Sequence, residues 1–279
     1  MTYQDILHRL RNAYDEGEAR ALARMVLGEV FGLTLTDIIS DKVNDFSREE
    51  NERLEKIIVR LENHEPIQYI LGYEYFHGHR FHVANGVLIP RPETEELVDM
   101  VLNENGTGEA KKCLDIGTGS GCIAISLALA MPASDVEAWD ISRDALHIAS
   151  HNAESLGAKV QFHHADALNA TPPESPCYDI IVSNPPYICR SEAKDMERNV
   201  LEHEPDIALF VPDDDPLLFY RSIARYGTKA LKPGGRMYFE INRAYGHGVC
   251  MMMQQLGYHD VTLHYDQFDN PRIVKGTIL

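Results

Sequence analysis

The chain has 279 residues, of which 44% are hydrophobic, and a formal net charge of −17 at pH 7. This length and apolar content suffice for one large or two ordinary domains with a packed core, which excludes an intrinsically disordered protein. The acidic excess argues against a surface that neutralises many phosphates, because nucleic-acid affinity depends mainly on Lys and Arg contacts.

No stretch of the sequence predicts a membrane segment or an export signal. The longest apolar run, around residues 122–131, is too short to cross a bilayer, and the N-terminus lacks the basic region of a signal peptide. The five cysteines are scattered without paired spacing, which is typical of reduced thiols rather than of disulfides or a zinc site. We therefore expect a soluble, cytoplasmic protein with no membrane partner.

The first 72 residues predict a small helical domain. Apolar residues recur at helical spacing in the segments 3–14, 18–31 and 47–63, and the last segment begins with the capping-box spacing of Ser47 and Glu50. Nothing in this part alternates like a strand, and it contains no catalytic constellation. We interpret residues 1–72 as a separate helical domain for substrate recognition; the alternative is a purely structural cap.

The pattern changes between residues 73 and 90, where aromatic and alternating residues predict a β-hairpin linker. Asn85-Gly86 lies between apolar runs, and this dipeptide is typical of a tight hairpin turn. From residue 91 to residue 279 helices alternate with seven predicted strands, and Pro90–Glu95 opens the first helix. This order predicts a doubly wound α/β domain with a mostly parallel seven-stranded sheet.

The most informative motif is the tetrapeptide Asn184-Pro185-Pro186-Tyr187, which follows the apolar strand predicted at 179–183. The side-chain oxygen of Asn184 and the carbonyl of Pro185 can each accept one hydrogen from a planar NH2 group, while the two prolines fix the backbone and remove competing donors. Such a site suits a nitrogen that receives a methyl group. The alternative is an ordinary proline-rich turn after a strand.

Residues at the ends of three successive strands predict a cofactor site. Asp115 precedes a bend at which the backbone can approach a ligand closely. The bend consists of Gly117, Thr118, Gly119, Ser120 and Gly121. A dinucleotide fingerprint would need glycine at position 122, which is Cys122. Asp140 ends the next strand and can hold two ribose hydroxyls, and Asp166 with Ala167 follows the third strand, where an acid can meet an adenine amino group. The set suits S-adenosylmethionine; the alternative for the glycines is a merely tight turn.

Clustered histidines are the main indication of a metal site, and each cluster is incomplete. His147 and His151 have the spacing of a zinc pair but lack a third ligand nearby, and the groups at 77–82 and 163–164 are also short of a full set. We expect structural or solvent-facing histidines and no metal.

The segment 190–215 is strongly acidic, with nine acidic and three basic side chains. A phosphate backbone would be repelled there, so we expect no direct contact with nucleic acid. The segment is either an acidic solvated loop or an electrostatic match for a basic protein partner.

Together these motifs resemble the PrmC/HemK family of class I S-adenosylmethionine-dependent methyltransferases, which methylate the glutamine of peptide chain release factors. The resemblance covers nearly the full length. The segments that carry it are Glu65–Gly72, Val87–Glu95, Asp115–Gly121, Asp140–Ser142 with Ala145-Leu146, Ser183–Ile188, Glu204–Leu209, Lys232–Gly235 and Arg272–Gly276. The stretch Pro90–Glu95 discriminates best, because Asn-Pro-Pro-Tyr also occurs in enzymes that methylate the amino groups of bases.

The resemblance implies a class I, Rossmann-like fold and a role for each matching residue. Asp115 and Gly117 to Gly121 would bind the methionine and ribose part of the cofactor, Asp140 its ribose, and Asp166 with Ala167 its adenine. Asn184, which also borders the cofactor, and Pro185 would orient the glutamine amide of a Gly-Gly-Gln motif, with Pro186 and Tyr187 beside it. The chain departs from the family at Ala167, where members usually have a bulky residue. It also reads Glu240-Ile-Asn242 where members usually have Glu-Ile-Gly followed by a glutamine.

Two other functions stay open at this point. One is an exocyclic amino-group methyltransferase acting on DNA or RNA, which would need a basic cleft and a pocket for an extruded base. The other is a non-catalytic adaptor that uses the fold to bind a partner, although the intact Gly117, Asp140 and Asn184 argue against it. Glu93 and Glu95 either shape the site or simply suit a helix N-terminus.

Overall fold

The computed structural model describes residues 1–266 and 268–279. Its α-helices are α1 Tyr3–Leu10, α2 Glu16–Phe31, α3 Leu35–Ile39, α4 Arg48–Glu62, α5 Ile67–Leu71, α6 Pro92–Asn105, α7 Cys122–Ala130, α8 Arg143–Leu156, α9 Arg198–His203, α10 Asp206–Leu209, α11 Leu218–Ala230 and α12 Gly246–Gln255. Its strands are β1 Tyr73–Phe76, β2 His79–His82, β3 Lys112–Ile116, β4 Asp135–Asp140, β5 Val160–His164, β6 Tyr178–Ser183, β7 Ile188–Cys189, β8 Phe210–Val211, β9 Leu231–Glu240, β10 His259–Tyr265 and β11 Pro271–Thr277. Short 3₁₀ helices lie at Lys42–Asp45 and Arg190–Asp195.

The chain forms two compact units, residues 1–73 with 196–203, and residues 74–195 with 204–279. The first unit is helical, and its core is made by the apolar faces of α1, α2 and α4. Helix α4 begins with the predicted capping box, in which Ser47 and Glu50 each accept the other's backbone N–H. Helix α1 ends at Leu10, before the predicted Tyr14, because Asp15 already caps the start of α2.

The predicted hairpin is present, but its turn lies at His77-Gly78 and not at Asn85-Gly86. Strands β1 and β2 form a two-stranded sheet. His77 and Gly78 have φ of 48° and 76°, and both central residues of a type I′ turn need positive φ. Asn85 and Gly86 do form a turn, in which the Val87 N–H donates to the Ala84 carbonyl (3.4 Å), but residues 87–89 form no strand, so the prediction of a hairpin at Asn85-Gly86 is wrong. The reason is that Ile89 is buried and donates its backbone N–H to Glu204 Oε2 (3.2 Å) instead of to a neighbouring strand.

The second unit contains a seven-stranded sheet in the order β10-β11-β9-β6-β3-β4-β5. Strands β9, β6, β3, β4 and β5 are parallel, and β11 is antiparallel to both of its neighbours. This arrangement confirms the predicted mostly parallel seven-stranded sheet. A separate two-stranded sheet pairs β7 with β8.

Helices cover both faces of the large sheet because its central strands are apolar on both sides. Along β3, Cys113 belongs to the core cluster that includes residues of α6 and α7, whereas Leu114 belongs to the cluster that includes residues of α11 and α12. The doubly wound prediction is therefore confirmed. No helix of the described residues is long and apolar enough to span a bilayer.

The strand order reverses at the centre of the sheet, since the chain runs outward from β3 to β5 and then returns to β6 on the other side of β3. Ligands of open α/β sheets bind at the carboxyl ends of the strands at such a point. Backbone hydrogen bonds align these ends. The N–H groups of Gly117 and Thr118 both donate to the Trp139 carbonyl (2.9 and 2.9 Å), and Ala165 N–H donates to the Asp140 carbonyl (3.0 Å).

Gly121, at the start of α7, is a position that excludes a side chain. Its φ is +84°, and a Cβ there would lie 2.8 Å from Ile125 Cδ1 and 3.1 Å from Ala149 Cβ. We expect Gly121→Ala to lower the free energy of unfolding by roughly 2–4 kcal/mol, because backbone strain and overpacking add. Chemical denaturation measures this loss.

The matched control is Gly157→Ala at the end of α8. Gly157 has φ +70° but meets nothing within 4 Å of an added Cβ, so strain alone should cost about 1 kcal/mol. Equal losses for the two variants would contradict the packing explanation.

Candidate active site

A cavity of about 330 Å³ opens at the carboxyl ends of β6, β3, β4 and β5. Eight of the predicted site residues line it: Gly117, Gly119, Asp140, Asp166, Ala167, Asn184, Pro185 and Pro186. Residues to which the sequence analysis gave no site role complete the wall: Gly86–Leu88, Ile116, Ile141, Ser142, Ala145, Ala165, Leu168, Ile207, Ala208, Phe219 and Ile223. Most of these additional side chains are apolar, so their residue types alone did not indicate a role in binding.

The other predicted residues, Asp115, Thr118, Ser120, Gly121 and Tyr187, are not on this lining. Asp115 is fully buried, and its Oδ2 accepts a hydrogen bond from Thr118 Oγ1 (2.6 Å). Its Oδ1 has no hydrogen-bond partner in the described part of the chain. Burial raises the pKa of Asp115 to about 7, and the Thr118 hydrogen bond opposes this rise. Asp115 therefore supports the glycine bend from beneath.

Asp140 fastens the glycine bend and also borders the cavity. Its Oδ2 accepts from the Gly119 N–H (2.9 Å) and its Oδ1 from the Ser142 N–H (2.8 Å). Burial raises the pKa of the Asp140 carboxyl, and these hydrogen bonds oppose the rise. Because each carboxylate oxygen has a second lone pair, the group can still accept hydrogens from ligand hydroxyls.

Asp166 and Ala167 lie in a fixed turn after β5. Asp166 Oδ1 accepts from the Leu168 N–H (2.8 Å), its Oδ2 accepts from Asn169 Nδ2 (2.6 Å), and the Ala167 carbonyl accepts from Ser222 Oγ (2.9 Å). The small Ala167 side chain leaves space at this wall. Ile141 and Leu168, which are respectively 43% and 38% exposed, supply apolar surface to the same cavity.

The bend fits a ligand that approaches the backbone closely. Gly117 and Gly119 have φ of 79° and 56°, and a Cβ at either would meet no protein atom within 4 Å, because both residues face the cavity. A side chain there would occupy ligand space. Together with the Asp140 carboxylate and the apolar walls, these features fit the adenosyl and methionyl parts of S-adenosylmethionine.

The Asn-Pro-Pro-Tyr motif is held at the end of β6, beside the bend. Ser183 Oγ donates to the Ile116 carbonyl (2.6 Å), and Asn184 Nδ2 lies 3.4 Å from Thr94 Oγ1. In the described residues no donor contacts Asn184 Oδ1 or the Pro185 carbonyl. Both of the acceptors predicted from the sequence therefore belong to cavity-lining residues and have no protein partner there.

Comparisons with known proteins agree with this geometry. Residues 2–72 match the family model of the PrmC N-terminal domain, and residues 93–205 match that of the methyltransferase small domain. The chain is 49% identical to a release factor glutamine methyltransferase of Bacteroides thetaiotaomicron, over 96% of each chain. It is 39% identical to one of Flavobacterium psychrophilum, over 95% of this chain and 94% of the relative. The chain belongs to the release factor glutamine methyltransferase family.

A solved structure with a similar fold is the 16S rRNA N2 G1207 methyltransferase of T. thermophilus, determined with AdoMet and guanosine. The TM-score is 0.54 at 18% identity, over 74% of this chain and 50% of that one. This likeness concerns the fold, and it confirms the class I S-adenosylmethionine-dependent methyltransferase architecture. The nucleic-acid alternative is not favoured, because the curated relatives carry the name of the protein-glutamine enzyme.

The stretch Pro90–Glu95 contains one further residue that contacts the Asn-Pro-Pro-Tyr motif, Thr94, to which the sequence analysis gave no role. Thr94 is buried and donates its hydroxyl hydrogen to Glu240 Oε2 (2.7 Å). Glu93 is exposed, and Glu95 accepts from the backbone N–H of His77 (2.8 Å), so neither acid lines the cavity. The helical spacing of Thr94 with Leu97, Val98 and Val101 was the available signal for its inward direction.

The divergent loop after β9 is tied to the motif. Asn242 Nδ2 donates to the Tyr187 carbonyl (3.0 Å) and lies 3.2 Å from Glu192 Oε2, while Asn242 Oδ1 accepts from the Ala244 N–H (2.9 Å). A glycine at position 242 would lack these side-chain contacts. Asn242 therefore links the loop after β9 to the end of the Asn-Pro-Pro-Tyr motif.

Two segments of the cavity wall are joined by Glu204, which is 5% exposed. Its carboxylate accepts from the Ile89 N–H (3.2 Å) and from Arg91 Nη2 (2.5 Å). Glu204 thereby connects the chain that follows Gly86–Leu88 with the chain that precedes Ile207 and Ala208.

No group of three or more His, Cys, Asp or Glu side chains that could hold a metal occurs among residues 1–266 and 268–279. His147 and His151 are both exposed on α8, and the ring of His151 contacts that of His82 edge-on, with centroids 5.5 Å apart.

Several acids of the 190–215 segment are paired with basic side chains, such as Asp206 with Arg190.

Asp115 should make folding stability depend on pH. With a folded pKa of about 7 against an ordinary 3.8, the folded state retains a proton that the unfolded state loses. Its contribution to stability is complete below pH 4 and is lost as pH rises to 7. We expect Asp115→Asn to gain stability relative to the original chain over this window, by at most roughly 4 kcal/mol.

Urea denaturation at several pH values measures this difference. Glu174→Gln, at an exposed acid between β5 and β6, is the control and should give a nearly constant difference. A constant difference for Asp115→Asn as well would contradict the role of burial.

Proposed function

We propose that the chain transfers the methyl group of S-adenosylmethionine to the side-chain amide nitrogen of the glutamine in the Gly-Gly-Gln motif of peptide chain release factors. The observation that carries this proposal is that Gly117, Asp140, Asn184 and Pro185 line one cavity. Candidate cofactor-binding groups and candidate amide acceptors thus belong to a single site. The names of the curated relatives supply the substrate.

Cofactor binding is assigned to the bend and to Asp140. The backbone of Gly117 to Gly121, supported by Asp115, would hold the methionine part, and Asp140 would accept hydrogen bonds from the ribose hydroxyls. Asp166 and Ala167 would flank the adenine. When bound, the cofactor would supply an electrophilic methyl group, and breaking of its sulfur–methyl bond would leave S-adenosylhomocysteine as the product.

The chemical difficulty lies in the substrate, because the lone pair of an amide nitrogen is delocalised. Asn184 Oδ1 and the Pro185 carbonyl would each accept one hydrogen of the glutamine NH2 and favour a pyramidal nitrogen whose lone pair faces the methyl group. Pro186 would pack beside the amide, and Tyr187, which does not line the cavity and donates to Glu240 Oε1 (3.3 Å), would support the motif from behind. Catalysis then comes from positioning and electrostatics. A proton leaves after transfer, when the cationic nitrogen has become acidic, so no strong base and no metal are required.

We infer that the helical residues 1–72 take part in recognising the release factor, which the separate family match over residues 2–72 supports. The partner is a protein, and direct nucleic-acid or membrane contact is not part of the proposal. The net charge of −17 supports the first of these exclusions. The five free cysteines support a reducing, cytoplasmic location.

The proposal is tested by incubating the protein with labelled S-adenosylmethionine and purified release factors, then mapping the added mass by peptide fragmentation. We expect one methyl group on the glutamine of Gly-Gly-Gln, and none on a factor in which that glutamine is replaced by alanine. Unmodified factors together with methylated nucleic acid would overturn the proposal.

Two variants separate the roles within the site. Asn184→Ala should reduce kcat by roughly 100-fold or more, because one amide acceptor is lost, while cofactor binding stays near the original value. Asp140→Ala should chiefly weaken cofactor binding in calorimetric titration. Gln255→Ala, which removes an exposed amide side chain from α12, is the control. Original turnover in Asn184→Ala would refute the assigned role.

A further inference from the structure

Behind Asn184 lies a chain of buried polar groups that runs through Thr94 to Glu240. Asn184 Nδ2 is 3.4 Å from Thr94 Oγ1, and Thr94 Oγ1 is 2.7 Å from Glu240 Oε2. Thr94 and Glu240 are each 2% exposed, and neither lines the cavity. The sheet explains their proximity, because β6 and β9 are parallel neighbours in which Ser183 pairs with Phe239. Asn184 directly follows Ser183, and Glu240 directly follows Phe239.

The number of hydrogen atoms that Thr94 and Glu240 can donate decides which way the Asn184 amide faces. An ionised carboxylate only accepts hydrogen bonds, so Thr94 must donate its one hydroxyl hydrogen to Glu240. The Thr94 oxygen then offers only lone pairs, and the part of the Asn184 amide that it can bind is the NH2 group. The other half of the amide, Oδ1, is therefore left as an acceptor.

The surroundings of Glu240 decide its protonation state. Thr94 and the hydroxyl of Tyr187, 3.3 Å from Oε1, donate to the carboxylate. Arg272 on β11 favours the ionised form, whereas Glu93 on α6 disfavours it. Burial has the largest effect and raises the pKa of Glu240 above its ordinary value. The two donors and Arg272 favour the carboxylate, which is the form that leaves the Thr94 oxygen as an acceptor for Asn184 and which should be lost in acid.

We propose that Thr94 and Glu240 are positioning residues, which hold the Asn184 amide with its oxygen toward the substrate nitrogen. They act on the reaction only through Asn184. This inference rests on the proposed function, and it adds the groups that specify an acceptor at this position. A reversed amide would present its own NH2 to the NH2 of the substrate, and neither group could accept.

Thr94→Val and Thr94→Ser form a matched pair for testing this inference. Valine keeps the shape but removes the hydroxyl, so kcat should fall roughly 10- to 100-fold, as for other groups that orient a catalytic residue. The cofactor dissociation constant and the KM for the release factor should stay within about threefold of the original values. Serine keeps the hydroxyl and should restore most of the turnover.

Glu240→Gln tests the hydrogen inventory through the pH profile. The glutamine NH2 can donate to Thr94, and the Thr94 hydroxyl can then donate to Asn184 Oδ1 and occupy the acceptor. We expect kcat to fall in this variant and its acid limb to disappear. In the unmodified chain kcat should fall as pH falls through the raised pKa of Glu240. A protonated Glu240 can donate to Thr94, and the Thr94 hydroxyl can then donate to Asn184 Oδ1, as in the variant. Glu174→Gln, at an exposed acid between β5 and β6, should retain the acid limb.

Side-chain amide NMR of Asn184 separates this inference from the proposed function. The Asn184 NH2 signals, assigned with Asn184→Asp, should exchange slowly with solvent in the original chain and in Thr94→Ser, and at least about tenfold faster in Thr94→Val.

If release factors are methylated but Thr94→Val retains full kcat and slow exchange, the inference fails and the proposed function stands. If release factors are not methylated by the original chain, the proposed function fails, and the exchange rates alone decide the orientation of Asn184. Loss of kcat in Thr94→Val and Thr94→Ser alike, in proportion to their loss of thermal stability, would also overturn the inference.

Discussion

The site depends on the parallel pairing of β6, β3, β4 and β5, which brings four carboxyl ends to one edge of the sheet. Gly117 follows β3, Asp140 ends β4, Asp166 follows β5 and Asn184 follows β6. The reversal of strand order between β3 and β6 opens a crevice at this edge. Without this register, the bend and the amide acceptors would not share a cavity.

Two buried acids, Asp115 and Glu240, and the partly buried Asp140 lie behind or beside that cavity, and each has a raised pKa because burial disfavours its charge. Ionised groups out of water lower stability unless hydrogen bonds replace the lost hydration. Here the replacement comes from groups that belong to the site, namely the Thr118 and Thr94 hydroxyls and the backbone of the bend. The same contacts that offset burial therefore fix the geometry of the bend and of Asn184. Such a trade of stability for orientation is expected at functional sites.

Sequence patterns predicted features governed by nearby residues better than features governed by distant ones. The capping box at Ser47 and the alternation of strands and helices are local, and both are present. The hairpin turn was misplaced because Asn85-Gly86 and His77-Gly78 can both form turns, and the choice depends on the burial of Ile89 and its bond to Glu204. The sequence did not indicate a role for Thr94, because its hydrogen-bond partner Glu240 is 146 residues away along the chain.

By itself, the sequence determined the fold class and predicted the glycine bend with Asp115 and the candidate acceptor pair of Asn184 and Pro185, because motifs of this kind depend on residue type and short spacing. The tertiary structure decided which of these residues border the cavity, which ones support it from behind, and which apolar segments complete its wall. It also joined Asn184 to Thr94 and Glu240. Such contacts arise from strand order and register, which hydrophobic patterning constrains but does not specify residue by residue.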